Sequence, residues 1–255
     1  MFGAFAAKSQ MLPIDTGWLP VTDVERSLKA PLVEKDAGAE ILFWRVHVRD
    51  ELQNRQDLQR ALYHYIRLKI FDEKGKEKAA TIDIPFGDKT SILYVAGRTI
   101  KADGSEVELK KEAVYERDLV RAGHTRVRVK SFAMPAVEPG AIVEYRWKEV
   151  LDDPRIAYMR LQFQREFPVE RVTYFLWPLS REYTAYKMSM LPFNCQPGPL
   201  KMENDGFQST SVENVPAFRE EPMMPGEANV RSWALLFYHT DGNREPDKYW
   251  NQIGK

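Results

Sequence analysis

The sequence predicts an all-β protein, an antiparallel β-sandwich with few short helices. Three observations carry the prediction. Apolar residues recur at period two in short runs along most of the chain, the pattern of strands with one buried face. Turn signals rich in Gly, Pro and Asp separate these runs at close spacing. Segments with the 3.6-residue period of an amphipathic helix are scarce.

Taken in order, "ILFWRVHV" (Ile41 to Val48) places Leu42, Trp44, Val46 and Val48 on one face, and "LYHYIRLKIF" (Leu62 to Phe71) does the same with Leu62, His64, Ile66, Leu68 and Ile70. His64 on that apolar face is expected to be a core histidine with a hydrogen-bond partner. "DEKGKE" (Asp72 to Glu77) reads as a turn, with Gly75 supplying a left-handed residue before "AATIDIPF" returns. "TIKADGSEVEL" (Thr99 to Leu109) is a hairpin in which Asp103-Gly104 can take the positive φ angles of a two-residue turn, and "KMENDGFQSTSV" repeats the device at Asp205-Gly206. In "VEPGAIVEYRW" Pro139 fixes φ and Gly140 is free to take φ above zero, as a type II turn requires. Further strands are expected at "TRVRVKSF", "YMRLQFQREF", "RVTYFLW", "YTAYKMSML" and "SWALLFY", about ten in all. Trp44, Trp147, Phe163 and Trp177 alternate within these runs and read as core. Of two segments weighed as helices, "DELQNRQDLQRAL" (Asp50 to Leu62) has too narrow an apolar stripe, and "KKEAVYERDLV" (Lys110 to Val120) has room for one or two turns.

At 255 residues the chain holds one large β domain or roughly two average ones. With 44% hydrophobic and 29% charged residues it can bury a core and is not a disordered chain. The 37 basic and 37 acidic side chains cancel, which disfavours nucleic acid and anionic membranes as partners. No run of about 18 apolar residues exists, so no integral membrane helix is expected. The start "MFGAFAAKSQ" contains Ala4-Phe5-Ala6, like a signal-peptidase site without the regions that should precede it; an export-signal remnant and an ordinary disordered start both fit. The organisation read from the sequence is an N-terminal extension over 1–35, a β-sandwich domain over 36–240, and over 241–255 the start of a linker or helix. In that last stretch Tyr249, Trp250 and Ile253 would share a face, so a following domain is expected.

Candidate chemistry is sparse. The single cysteine, Cys195, with His239 and Asp241 would make a nucleophile, base and orienter. Against this, Pro192, Pro197, Gly198 and Pro199 prevent a helix from starting at Cys195, where a low-pKa thiol would need it. The four histidines, His47, His64, His124 and His239, have no second ligand at metal spacing, so no metal and no cofactor is expected. Arg126, Arg128 and Lys130 alternate on one strand face and could grip an acidic partner, although a solvated face explains them more simply. Adjacent acids such as Asp152-Asp153 and Glu220-Glu221 diverge on an extended chain and do not form a glycosidase pair.

Four pieces, "DAGAEIL" (Asp36 to Leu42), "AGRTIKADGSEVEL" (Ala96 to Leu109), "MPAVEPGAIVEYRW" (Met134 to Trp147) and "VENVPAFREEPMMP" (Val212 to Pro225), together resemble the domain of unknown function that precedes transglutaminase-like cores in many exported bacterial proteins. The resemblance spans roughly Asp36 to Trp250 and rests on the ordered set, since each piece alone is weak. It implies an immunoglobulin-like or related β-sandwich, a periplasmic or extracellular setting, and a papain-type cysteine core that would follow this chain in cis. The expected function is therefore a non-catalytic accessory domain that packs against or orients that core. Trp233, Phe237, Tyr238, Tyr249 and Trp250 are the candidate interdomain contacts, being aromatic residues that lead toward it. The alternative expectation is a cell-envelope module that binds glycan or peptide.

Overall fold

The computed structural model describes residues 17–53, 57–122, 125–151, 158–177 and 187–239. A short helix, α1 (Asp23–Ser27), precedes two long strands, β1 (Ala39–Gln53) and β2 (Asp57–Ile70). After helix α2 (Glu73–Ala79) come β3 (Thr81–Gly87), β4 (Thr90–Ile100), β5 (Glu106–Glu108), β6 (Val114–Ala122), β7 (Thr125–Ala133) and β8 (Ile142–Leu151). The chain continues through β9 (Tyr158–Gln162), β10 (Val169–Trp177), β11 (Lys187–Phe193), β12 (Lys201–Met202), β13 (Gln208–Val215) and β14 (Trp233–His239).

The strands form an eight-stranded sheet in the order β12-β13-β10-β1-β2-β8-β4-β5 and two three-stranded sheets, β3-β7-β6 and β11-β14-β9. This is the predicted all-β, sandwich-like class. One pairing departs from the antiparallel expectation, because β1 and β10 run parallel, with Trp44 opposite Val172 and Val48 opposite Leu176. The buried cluster joins Trp44, Val46, Ile66, Leu68, Val143, Trp147, Val172 and Tyr174 of the large sheet to residues of both small sheets. From the first small sheet come Ile82, Ile84 and Phe132, and from the second Met159, Leu161, Ala234 and Leu236.

His64 lies in this cluster as its strand face predicts. It stacks on Trp147 with ring centroids 4.2 Å apart, its Nδ1 accepts from Trp44 Nε1 at 3.4 Å, and its Nε2 is 3.4 Å from Glu149. Two residues leave the faces assigned to them. A bulge in β1 between Ile41 and Phe43 puts Ile41 into the core and turns Leu42 toward a surface groove, since one extra residue inverts the alternation. Trp177 sits on the opposite face of the large sheet, half-buried against Phe207 at 5.2 Å.

The predicted turn at Asp72 to Glu77 is instead the N-terminal part of α2, because the Asp72 side chain caps the helix by accepting from Gly75 N at 2.7 Å. Gly75 is needed there for a close approach and not for a left-handed angle, since a Cβ would collide with the Gly38 carbonyl group. Gly75→Ala should therefore destabilise the protein by about 1–3 kcal/mol through overpacking, although alanine favours helix by roughly 1 kcal/mol. Urea denaturation showing equal or higher stability would contradict the contact.

Of the two helix candidates, Asp50 to Leu62 belongs to β1 and β2 where described, and Lys110 to Val120 gives only a 3-10 turn at Lys111–Ala113 before β6. Both Asp-Gly hairpins form, but with one positive φ each, at Gly104 and Gly206. Gly104 N donates to Lys101 O and Gly206 N to Glu203 O. These are three-residue loops closed by a left-handed glycine, not two-residue turns. The Pro139-Gly140 turn forms as predicted, with Gly140 at φ 88° and Ala141 N donating to Glu138 O at 3.1 Å.

Candidate functional site

The face of the large sheet turned away from the core is lined by charged side chains: Arg45 on β1, Arg67 and Lys69 on β2, Glu144 and Arg146 on β8, and Arg98 on β4. Alternation alone would leave them in water. Residues 17–35, however, lie across this face. Tyr65, Arg67 and Lys69 are consequently buried, so this part of β2 is covered on both sides.

Glu144, with no exposed surface, is the hub. Its Oε1 accepts from Arg67 Nε at 2.8 Å and its Oε2 from Arg98 Nε at 2.6 Å, while the Tyr65 hydroxyl also donates to it. Burial first, and then the Glu144 charge, push the Tyr65 phenol well above its ordinary pKa. The overlying segment is pinned through the same residues. Arg67 donates to Leu19 O at 2.7 Å, to Pro20 O at 3.1 Å and to Glu25 at 2.7 Å, and Leu19 N donates to Tyr65 Oη at 3.1 Å. Burial works against the charge on Glu25, but hydrogen bonds from Thr22 and Arg67 outweigh it and hold the carboxyl below its ordinary range. Trp18 completes the cover, with Arg146 over its ring at 4.4 Å and Arg98 at 5.1 Å. Further along, the buried Glu40 accepts from Leu32 N and Val33 N, and Lys69 donates to Arg26 O at 3.0 Å and Gly140 O at 2.7 Å.

Beside this network a groove of about 720 Å³ runs between α1 and its flanking turns on one side and β10, β12 and β13 on the other. Val24, Leu28, Leu32, Leu42 and Phe43 supply apolar wall, and Arg45, Glu170 and Arg171 bring charge. Arg45 lies over the Phe43 ring at 5.0 Å. Burial holds the Arg45 guanidinium below its ordinary pKa; Tyr65 acts in the opposite direction, and the charges of Arg67 and Arg171 reinforce the depression. Burial, and next the charge of Glu40, push the Glu170 carboxyl up. Among the described residues no carboxylate pairs with Arg45 and no cation pairs with Glu170.

The cysteine trio is not assembled. Cys195 is half-buried, its Sγ donates to Trp233 O at 3.3 Å, and burial pushes the thiol up, away from the reactive thiolate. Trp233 and His239 lie six residues apart on one strand, which is about 20 Å, so His239 cannot reach that sulfur. His239 Nε2 instead sits 2.9 Å from Ser189 Oγ. Asp241 lies outside the described residues. Arg126, Arg128 and Lys130 each pair with an acid across the strands, Arg126 with Asp118 at 2.8 Å and the other two with Glu116 at 3.0 and 3.1 Å. They form a sheet face of cross-strand ion pairs, three cations against two acids. Among the described residues no group of three or more His, Cys, Asp or Glu side chains is placed to hold a metal ion, and no helix is long and apolar enough to cross a membrane.

The predicted interdomain residues divide. On β14, Trp233 and Phe237 point away from the core, Trp233 stacked on Phe193 at 4.1 Å with its Nε1 donating to Ala228 O at 2.7 Å. Tyr238 turns inward, and its hydroxyl donates to Asp50 at 2.9 Å. Tyr249 and Trp250 lie outside the described residues. Sequence reasoning missed the Glu144 network and the groove. The available signal was complementary charge, Arg67 and Lys69 on one run and Glu144 on another, recurring on the second face of strands whose first face is apolar.

The sequence model of one protein family, described as a domain of unknown function with solved structure (DUF3857), matches residues 56–219. No curated protein matches the chain. Among solved structures, a protein from Parabacteroides distasonis described as a "putative protease" superposes with a TM-score of 0.59 at 16% identity, covering 79% of this chain. The match spans 40% of that protein's length, and at this identity the likeness is one of fold. An M1 zinc metallopeptidase from Deinococcus radiodurans has a TM-score of 0.32 at 8% identity, covering 78% of this chain and 42% of its own. A CBM3a-L domain from scaffoldin cipA of the Clostridium thermocellum cellulosome has a TM-score of 0.27 at 11% identity, covering 49% and 72%. Both of these scores are too low to carry an argument.

Proposed function

This chain belongs to the DUF3857 family, and from that premise we propose that it is a non-catalytic β-sandwich accessory domain that packs against a transglutaminase-like, papain-type cysteine core in cis. The observation that carries the reading is the outward face of the β11-β14-β9 sheet. Leu191 and Arg160 flank Leu235, Ser189 and Tyr158 flank Phe237, and Phe193 and Gln162 flank Trp233. Tyr158 is 65% exposed, Leu191 50% and Phe193 36%. Single exposed apolar residues are ordinary, but a contiguous apolar face marks a docking surface. Aromatic and aliphatic side chains beside an arginine are also the composition of interface centres.

The fold likeness gives further support, since in the Parabacteroides distasonis protein the matched portion is two-fifths of a longer chain. The exported setting is carried as part of the same reading and is supported by the resemblance to exported bacterial proteins.

Hydroxyl-radical footprinting of this chain alone and of the full-length gene product tests the proposal. Labelling at Tyr158, Leu191, Phe193 and Phe237 should fall several-fold in the longer protein. Equal labelling of the two, or a gene product without such a core, would overturn it.

A further inference from the structure

The groove between α1 and β10 shares no residue with the proposed docking face, so a ligand site there stands or falls independently. Its volume of about 720 Å³ lies within the range of small-molecule sites. Three of its six charged lining residues are already engaged: Glu25 with Arg67, Arg171 with Glu213 and Glu203 with Ser209. Lys201 is exposed on the rim. That leaves Arg45 and Glu170, both partly buried and both without a hydrogen bond or ion pair among the described residues.

Their spacing is defined by the strands. Arg45 is paired with Thr173 across the parallel β1-β10 ladder, and Glu170 lies three residues before Thr173 on β10. The backbone positions that carry the two charges are therefore about 10 Å apart along the strands, comparable to the length of about three extended residues. Val24, Leu28 and Phe43 line the same groove, and so do Thr173 and Ser211, whose hydroxyls could hydrogen-bond a peptide backbone. An inorganic anion would satisfy one of these charges only; a ligand with opposite charges at its two ends and an apolar middle would satisfy both.

We infer that this groove binds a short peptide with free termini. Arg45 holds its carboxylate, Glu170 its amino group, and Val24, Leu28 and Phe43 an apolar side chain. Arginine suits the carboxylate because its planar fork can donate two parallel hydrogen bonds.

Calorimetric titration of the whole chain with Ala-Leu-Ala, its C-terminal amide and its N-acetyl form tests the inference. The free tripeptide should bind saturably, and each capped form should bind roughly tenfold or more weakly, the size of a charged hydrogen-bond pair. R45Q should lose the preference for acid over amide while keeping the preference for a free amine, and E170Q should do the reverse. R45K should retain part of the acid preference. The three-peptide series on the unaltered chain decides the matter even if a variant folds poorly. No saturable binding of Ala-Leu-Ala at millimolar concentration, equal affinity for all three peptides, or unchanged preferences in folded R45Q and E170Q would each overturn the inference.

Discussion

Glu144→Ala should cost about 3–5 kcal/mol, the usual effect of removing one member of a buried ion pair. Glu144 is fully buried and is the common acceptor of Arg67, Arg98 and Tyr65. Its loss would leave two guanidinium groups and a phenol without their shared partner on a face closed off from water. Set against the roughly 5–15 kcal/mol that holds a typical domain together, this is a large share. The 17–35 segment should loosen as well, because Arg67 binds Leu19, Pro20 and Glu25 in the geometry that Glu144 helps to hold. Glu106→Gln is the matched control. It removes the other acid on Arg98, at 2.7 Å, but from a side chain 46% exposed, and should cost under about 1 kcal/mol. Urea denaturation of both variants, with hydrogen exchange at Leu19 and Leu32, measures the difference. Equal stabilities would mean that the network contributes nothing beyond an ordinary surface pair.

The second large effect is a loss of stability in mild acid. His47 stacks on Phe175 at 4.3 Å, and burial lowers its pKa from 6.5 to about 4, with Asp205 opposing and Arg45 reinforcing the shift. An unfolded chain takes up this proton below pH 6.5 and the folded protein only near pH 4. The stabilisation is therefore complete above pH 6.5 and is lost progressively as pH falls to about 4, by up to about 3 kcal/mol. Buried His64 is shifted in the same direction and adds to the slope. His47→Phe, which can still stack on Phe175, should keep the contribution of His64 and lose that of His47. Stability curves from pH 7 to 4 with the same slope for the variant and the unaltered chain would refute the assignment.

The strands were legible where apolar residues alternate without interruption. Leu62, His64, Ile66, Leu68 and Ile70 alternate in the sequence and all enter the core, because period-two apolarity on β2 has no competing signal. Asp-Gly and Pro-Gly marked real turns, since glycine is the residue that takes a positive φ without strain. The details of those turns were less legible. Whether an Asp-Gly hairpin closes over two residues or three depends on the register of the flanking strands. Likewise, Asp72 to Glu77 carries both a turn signal and a helix N-cap, and the tight contact of Gly75 with Gly38 belongs to the helical form.

The candidate sites divide along the same line. From residue types and spacing alone, the sequence determined an all-β chain with a charge-balanced surface and no recognisable metal motif. It also placed Cys195 among prolines, where no helix can start to lower the thiol's pKa. Only the tertiary structure decided that Arg45, Arg67, Arg98 and Glu144 stand on a covered face. Alternation says which residues share a side of a strand, but not whether anything lies over that side. The cover is supplied by residues 17–35, held largely through contacts distant in sequence, such as Leu19 to Tyr65, 46 positions apart, and Arg146 to Gly17, 129 apart. Local periodicity carries no record of such partners, so the groove with Arg45 and Glu170 in its wall exists only once β1 and β10 run side by side and α1 lies beside them.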